Sequence, residues 1–355
     1  TSPTLAAQFN ELLTNLPNAR WVQYDPVGRS NTYEGTRLAF GEPVEPRYHF
    51  DRARTIVSLD ADFLSEGPGR VRYARDWING RRVLQGTEAV SRLYIVEPVL
   101  SNTGVVADHR LPVKAGAVGA VGFALAAALG VPGLSGQPSG LPANAAAFIE
   151  AAAADLRAAG SAGVVVAGEA QPPEVHALAH AINVALGAVG TTVEYTDPVA
   201  VNPGNQTAAL RQLVDELNAG AVEVLVVIGA NPAFTAPADL GFADAMAKAR
   251  FKVVLGPYYD ETAVLADWFI PEAHPLESWS DARAFDGTVT IVQPLIAPLY
   301  GGRTAHELLA AMNGQSGQSD YALVSSYWAE VSGLSGEELD NFIKGSLNNG
   351  VVPDT

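Results

Sequence analysis

The chain of 355 residues contains no cysteine. That excludes disulfides, thiolate nucleophiles, zinc–thiolate sites and cysteine-held iron–sulfur clusters within it. Cations are scarce. Lys and Arg together number 22 against 38 Asp and Glu, for a formal net charge of −16. The only lysines are Lys114, Lys248, Lys252 and Lys344. A surface this acidic repels phosphate backbones and anionic lipid, so nucleic acid is not an expected partner. Long apolar runs are missing as well. The longest stretch, Ala115 to Val131, is dominated by Gly and Ala and reads as a helix buried against a sheet, with no membrane span. There is no GxGxxG after a strand, no Walker loop, no HExxH and no GxSxG. No leader precedes Thr1, which leaves a cytoplasmic protein or an exported one whose leader has been removed.

What the chain does have is a repeat. Tyr94-Ile95-Val96-Glu97-Pro98, Thr103, Ala107, Asp108 and Pro112 recur as Val253-Val254-Leu255-Gly256-Pro257, Thr262, Ala266, Asp267 and Pro271, always 159 residues on. Each copy reads as a buried strand, a proline that ends it, a short helix, Ala-Asp and a second short strand. That is the crossover grammar of a parallel α/β sheet. Upstream, Ile56 to Asp62 precedes the first copy as Val226 to Pro232 precedes the second. Arg20 to Tyr24, Thr55 to Leu59, Gly163 to Gly168 and Val222 to Ile228 read as further strands. With 48% apolar and 17% charged residues the chain is globular.

Nine of the thirteen residues from Gly130 to Pro142 are Gly, Pro or Ser, the composition of a linker or exposed crossover. The expected organisation is a first α/β unit over 1–130, a linker over 131–142, a second α/β unit over 143–303 and a helical C-terminal extension over 304–355. Insertion of one unit into the other stays open.

Candidate chemistry is thin. His176 and His180 lie four apart on one helix face, a spacing that can bind a metal, but no glutamate accompanies them as in a zincin. A partly exposed helix surface is the expected reading. Asp108 and Asp267 occupy the same place in both copies, which favours a fold role in which the carboxylate ties down backbone N–H groups. The densest polar cluster is the loop from Pro271 to Thr288.

Leu225 to Pro232 (LVVIGANP), Asp260-Glu261-Thr262, Ala266-Asp267, Pro271 and Gln293-Pro294-Leu295-Ile296 occur in the order seen in molybdopterin oxidoreductases. A second set is more specific: Tyr48 to Asp51, Ser58 to Leu64, Arg72 to Asp76 and Ala107 to Pro112. Here the chain resembles the molybdopterin-like part of the large iron–sulfur subunit of alternative complex III, a bacterial quinol:electron-acceptor oxidoreductase. The resemblance covers roughly residues 20–345.

It implies an α/β fold of two related Rossmann-like units with mainly parallel sheets and a helical C-terminal extension leading to a missing ferredoxin-like region. It implies vestigial pterin-loop positions at Glu277, Trp279, Asp281, Arg283, Asp286 and Gly287. Trp279 stands where the family has a glycine, and Asp281-Ala282-Arg283 departs from the family's Asn-x-Glu-Gly-Arg. The expectation is therefore no catalytic residue, no metal and no molybdopterin in this chain. Iron–sulfur clusters and haem c would sit on neighbouring regions or subunits. The implied role is a scaffold on the outer, periplasmic face of the cytoplasmic membrane, beside the ferredoxin-like region, cytochrome c subunits and membrane quinol-binding subunits. Two alternatives remain. One is a truncated active molybdopterin-dependent oxidoreductase, its pterin held by the Glu277–Gly287 loop and the strand ends at Asp60 and Gly229. The other is a two-lobed periplasmic-type ligand-binding protein.

Overall fold

The computed structural model describes residues 1–82, 90–134 and 140–355. Two compact units emerge: Arg29–Pro198 is inserted in sequence between Thr1–Gly28 and Val199–Thr355, which together form the outer unit. The chain opens with α1 (Pro3–Asn15), whose first turn is capped by the Ser2 hydroxyl. The inserted unit runs α2 (Ser30–Phe40), β1 (Glu45–Tyr48), β2 (Thr55–Leu59), α3 (Arg70–Asn79), β3 (Arg92–Glu97), α4 (Asn102–Val105) and β4 (His109–Pro112). It continues through α5 (Val118–Leu129), α6 (Ala145–Ala159), β5 (Gly163–Ala167), α7 (Pro173–Ala185) and β6 (Val193–Thr196). The outer unit resumes with α8 (Gln206–Asn218), β7 (Val224–Ile228), α9 (Pro232–Thr235), α10 (Phe242–Met246), β8 (Phe251–Gly256), α11 (Glu261–Val264) and β9 (Trp268–Pro271). It ends in β10 (Ser280–Arg283), β11 (Val289–Val292), α12 (Ala305–Met312), α13 (Asp320–Ser332) and α14 (Gly336–Asn349).

The inserted unit is built on a parallel sheet of order β4-β3-β2-β5. Its strands are near-continuous apolar runs because both faces are covered. Val57, Leu59, Tyr94, Val96 and Val165 pack with Val121, Leu125, Leu156 and Ile182 from α5, α6 and α7. The outer unit carries a parallel sheet of order β7-β8-β9, on which Leu210, Val214, Phe242 and Met246 bury Leu225, Val227 and Val254. The expected α/β class with mainly parallel sheets is what the chain adopts.

The expected division is corrected. Residues 143–198 belong with the first sheet, because β5 pairs with β2 in parallel, Val57 opposite Val165. The segment 131–142 therefore joins α5 to α6 inside one unit, with residues 135–139 of that expected linker outside the described residues. Residues 304–355 are helical as expected, but they are no appendage. Val324, Trp328 and Ile343 close a second core of the outer unit over Val289 and Ile291 of the β10–β11 hairpin. Arg20 to Tyr24 forms no ladder; it is fixed at its ends by Arg20 to Glu216 (2.7 Å) and the Tyr24 hydroxyl to the Thr235 carbonyl (2.9 Å).

The repeat is structural. Shifting every bound of β3, α4 and β4 by 159 gives β8, α11 and β9. The registers repeat too: Val96 faces Leu111, and Leu255 faces Ile270. Upstream, Leu59 faces Val96 as Ile228 faces Leu255, so the true counterpart of Asp60 is Gly229. This moves the upstream alignment by one residue from the sequence reading. Asp60 and Gly229 share a φ of 61°, and their N–H groups donate to Val96 and Leu255 carbonyls at 2.7 and 2.9 Å. The left-handed turn suits glycine at one site and is held by an aspartate at the other.

Candidate functional site

Asp108 and Asp267 precede β4 and β9, at the amino ends of the parallel strands and opposite to the carboxyl ends where open α/β sheets bind ligands. Asp108 Oδ2 accepts the Leu93 N–H at 2.8 Å and pairs with Arg81 at 2.8 Å. Asp267 Oδ2 accepts the Lys252 N–H at 2.7 Å and pairs with the Lys252 ammonium at 2.9 Å. Both carboxyls are held below their usual range: Asp108 by Arg81 and the Leu93 N–H against the opposing effect of burial, Asp267 by its bonds to Lys252. Each aspartate thus ties its strand to the preceding one, the fold role that their duplication predicts. Asp60, at the end of β2, is pushed upward by burial and accepts a hydrogen bond from the Gln171 amide at 2.8 Å.

The two histidines are buried, not partly exposed: His176 is 4% and His180 1% accessible. They face α2, which approaches so closely that a Cβ on Gly35 would overlap the His176 Cβ. Burial holds them neutral, lowered to about 4 at His176 and about 3 at His180. His180 Nδ1 shares a hydrogen bond with the Tyr195 hydroxyl at 2.9 Å. Among the described residues no group of three or more His, Asp or Glu is placed to hold a metal.

The loop predicted as a pterin-loop vestige separates into two sets. Asp281, 2% accessible, is a structural hub. It accepts the Ser2 hydroxyl, the Thr4 N–H at 3.2 Å, the Thr4 hydroxyl at 2.5 Å and the Trp328 indole N–H at 3.0 Å. Arg283 continues β10 and its N–H donates to the Thr1 carbonyl at 3.0 Å. Asp286 accepts the Thr288 N–H at 3.3 Å, and Gly287, at φ 90°, turns the β10–β11 hairpin. None of these four lines the neighbouring cavity. Glu277 and Trp279 do, in a cavity of about 510 Å³ walled also by Pro294–Pro298, Arg303, Glu307 and Asp320.

The charged side chains of that wall all have internal partners. Glu277 accepts the His274 N–H at 3.1 Å and the Leu299 N–H at 3.3 Å. The Trp279 N–H donates to Asp320 Oδ2 at 2.7 Å, and its ring meets Tyr321 edge-on at 4.9 Å. Arg303 pairs with Glu307 at 3.0 Å, while Glu307 also accepts the N–H of Thr304, the N-cap of α12, at 2.9 Å. A pterin dinucleotide needs free N–H donors and cations for its phosphates. Here the Trp279 and Leu299 N–H groups already serve carboxylates, and three carboxylates face one paired guanidinium. The residues of this cavity do not fit that group.

Sequence reasoning missed Arg303, Glu307 and Asp320, and it passed over Glu272. The Thr304-x-x-Glu307 capping box was readable from the sequence. Glu272 also left a signal, since its repeat counterpart is Val113. Burial raises the Glu272 carboxyl above its ordinary value, and a Cβ on Gly229 would meet its oxygens at 3.7 and 3.9 Å. Asp320 had no local signal, because it meets Trp279 from 41 residues away.

Comparison with solved structures fixes the fold. Acetylene hydratase from Pelobacter acetylenicus matches 95% of this chain and 57% of its own length, with a TM-score of 0.66 at 14% identity. The formyltransferase/hydrolase complex (FhcABCD) from Methylorubrum extorquens, determined with methylofuran, matches 89% of this chain and 88% of its own, with a TM-score of 0.53 at 16% identity. These likenesses establish the fold, which is molybdopterin oxidoreductase-like. No family model matches the chain. In sequence it is 26% identical over 307 residues to the menaquinone reductase, molybdopterin-binding-like subunit of Nitratidesulfovibrio vulgaris, a match covering 76% of this chain and 44% of that protein. The chain thus has a molybdopterin oxidoreductase-like fold and spans less than half the length of this relative.

Proposed function

We propose that the chain is a non-catalytic scaffold in a membrane-associated quinol oxidoreductase complex of an electron transport chain, of the alternative complex III kind. It holds iron–sulfur and haem c partners in place on the outer face of the membrane and carries no redox centre of its own. The observation behind this reading is the cavity at Glu277 and Trp279: the Trp279 and Leu299 N–H groups serve carboxylates, and its one guanidinium is paired with Glu307. The likeness to a subunit called molybdopterin-binding-like supports membership of a quinone-linked complex. Among the described residues no helix is long and apolar enough to cross a membrane, so contact with the bilayer runs through partner subunits in this reading.

The test is molybdenum, tungsten, iron and extractable pterin per polypeptide in the assembly purified from its native membrane. Iron without molybdenum, tungsten or pterin is the expected result. Stoichiometric pterin with either metal would overturn the scaffold reading in favour of an active oxidoreductase.

A further inference from the structure

The cavity that does not suit a pterin has a second character: it is an apolar groove with an acidic rim. Its floor is the segment Pro294–Pro298, which together with Leu276, Leu299 and Tyr300 displays large apolar side chains to solvent. Leu295 is 72% and Tyr300 88% accessible. Single exposed apolar residues are ordinary, but a contiguous run beside a cavity of this size marks an interaction site. The segment is also fixed. The Leu295 N–H donates to the Leu276 carbonyl at 2.7 Å, and the Leu299 N–H to Glu277 at 3.3 Å. A backbone held in this way presents its side chains with little ordering cost on association. Around the floor stand Glu277, Glu307 and Asp320 against Arg303 alone. Their internal hydrogen bonds do not remove their charge, and a groove with an apolar floor and a negative rim is complementary to an apolar segment bearing cations.

We propose that this groove docks an apolar peptide segment carrying lysine or arginine, supplied by a partner subunit. Leucine-like side chains lie on the Leu295–Ile296 floor, and the cations meet Glu277, Glu307 and Asp320 at the rim. The assignment rests on the scaffold reading, in which the former cofactor wall is free to become a protein contact.

The experiment uses the full 355-residue chain and fluorescein-labelled peptides in low salt, read by anisotropy. One peptide alternates leucine and lysine, a second carries serine for leucine, and a third carries glutamate for lysine. The leucine–lysine peptide is expected to bind at least tenfold more tightly than either of the others. Leu295→Asp should weaken it at least tenfold, although the substitution makes the chain more acidic. Leu38→Asp, at an exposed position of the inserted unit, should not. Equal binding of the serine peptide, or an unchanged affinity in Leu295→Asp, would reduce the effect to general attraction by a net charge of −16 and overturn the proposal. So would the absence of binding, or self-association of the chain that Leu295→Asp abolishes, which would make a second copy the occupant. Pterin found in the native assembly would sink the scaffold reading without altering these titrations, so the two failures are separable.

Discussion

Thr103 and Thr262 make the same pair of bonds in the two units. Thr103 Oγ1 donates to Asp62 at 2.6 Å and accepts the Leu64 N–H at 3.3 Å. Thr262 Oγ1 donates to Asn231 at 2.7 Å and accepts the Ala233 N–H at 3.0 Å. Both side chains are fully buried. Each hydroxyl locks the loop after one strand to the short helix after the next. Thr262→Val keeps the shape and leaves the Ala233 N–H and Asn231 Oδ1 short of a partner. It should cost about 1–3 kcal/mol in a urea titration. A change within error would show that this duplicated clamp does not stabilise the unit.

Asp281 gathers four donors from α1, α13 and the residue before α1, so its role is testable through stability. Asp281→Ala should destabilise the outer unit by roughly 3 kcal/mol or more, because buried Thr4 and Trp328 donors lose their acceptor. Thermal unfolding followed by tryptophan fluorescence reads this directly. A stable Asp281→Ala chain would revive a ligand-binding role for this position.

The two copies solve one packing problem differently. In the inserted unit Glu97 fills the space over Gly104, where a Cβ would overlap its carboxylate; in the outer unit the counterparts are Gly256 and Ala263. Gly104→Ala should therefore destabilise by about 1–3 kcal/mol through overpacking. Combining it with Glu97→Gly should cost less than the sum of the single changes, as a double-mutant cycle in urea would measure. Additivity would mean that the two residues do not compete for that space.

These contrasts bear on what was legible in the sequence. The repeat was, because strand, helix and strand keep one spacing without gaps and the buried Val and Leu positions keep the period of a parallel strand. The role of Asp108 and Asp267 followed from their duplication. The unit boundary did not. A Gly/Pro/Ser run such as 130–142 has one composition whether it joins two units or two helices, and only the pairing of β5 with β2 decides. His176 and His180 looked like surface residues because α7 carries polar side chains on that face; their burial comes from α2, distant in sequence. The cavity at Trp279 depends in the same way on Asp320, which no local pattern connects to the loop. Of the six loop positions singled out by the resemblance, Glu277 and Trp279 line that cavity, while Asp281, Arg283, Asp286 and Gly287 build the hairpin and its anchor to α1.

The buried histidines set an acid limit on the inserted unit. In the folded chain His176 and His180 titrate at about 4 and about 3, against 6.5 for the free side chain. Between pH 6.5 and about 4 the unfolded chain binds the protons that the folded chain refuses. Stability is therefore full above pH 6.5 and lost as pH falls, by roughly 2 kcal/mol per histidine at pH 5. His176→Leu removes one of the two groups and should flatten the slope of the denaturation midpoint between pH 7 and 5. An unchanged slope would mean that His176 becomes charged without unfolding.

Glu272 carries the opposite sign. Burial raises its folded value, so between the ordinary glutamate range and that raised value the folded chain binds more protons than the unfolded one. Its contribution to stability falls as pH rises through this window, and at neutral pH the ionised carboxylate is a cost. Glu272→Gln should raise the unfolding midpoint at pH 7.5, and the gain should disappear below about pH 4.5, where both states are protonated. The repeat offers a second variant, Glu272→Val, because Val113 holds the same place after β4 and its N–H donates to Glu97 as that of Glu272 does to Gly256. If both substitutions stabilise at pH 7.5, the carboxylate at this strand end is kept for something other than the fold. Loss of stability in both would make Glu272 a structural residue like Asp267.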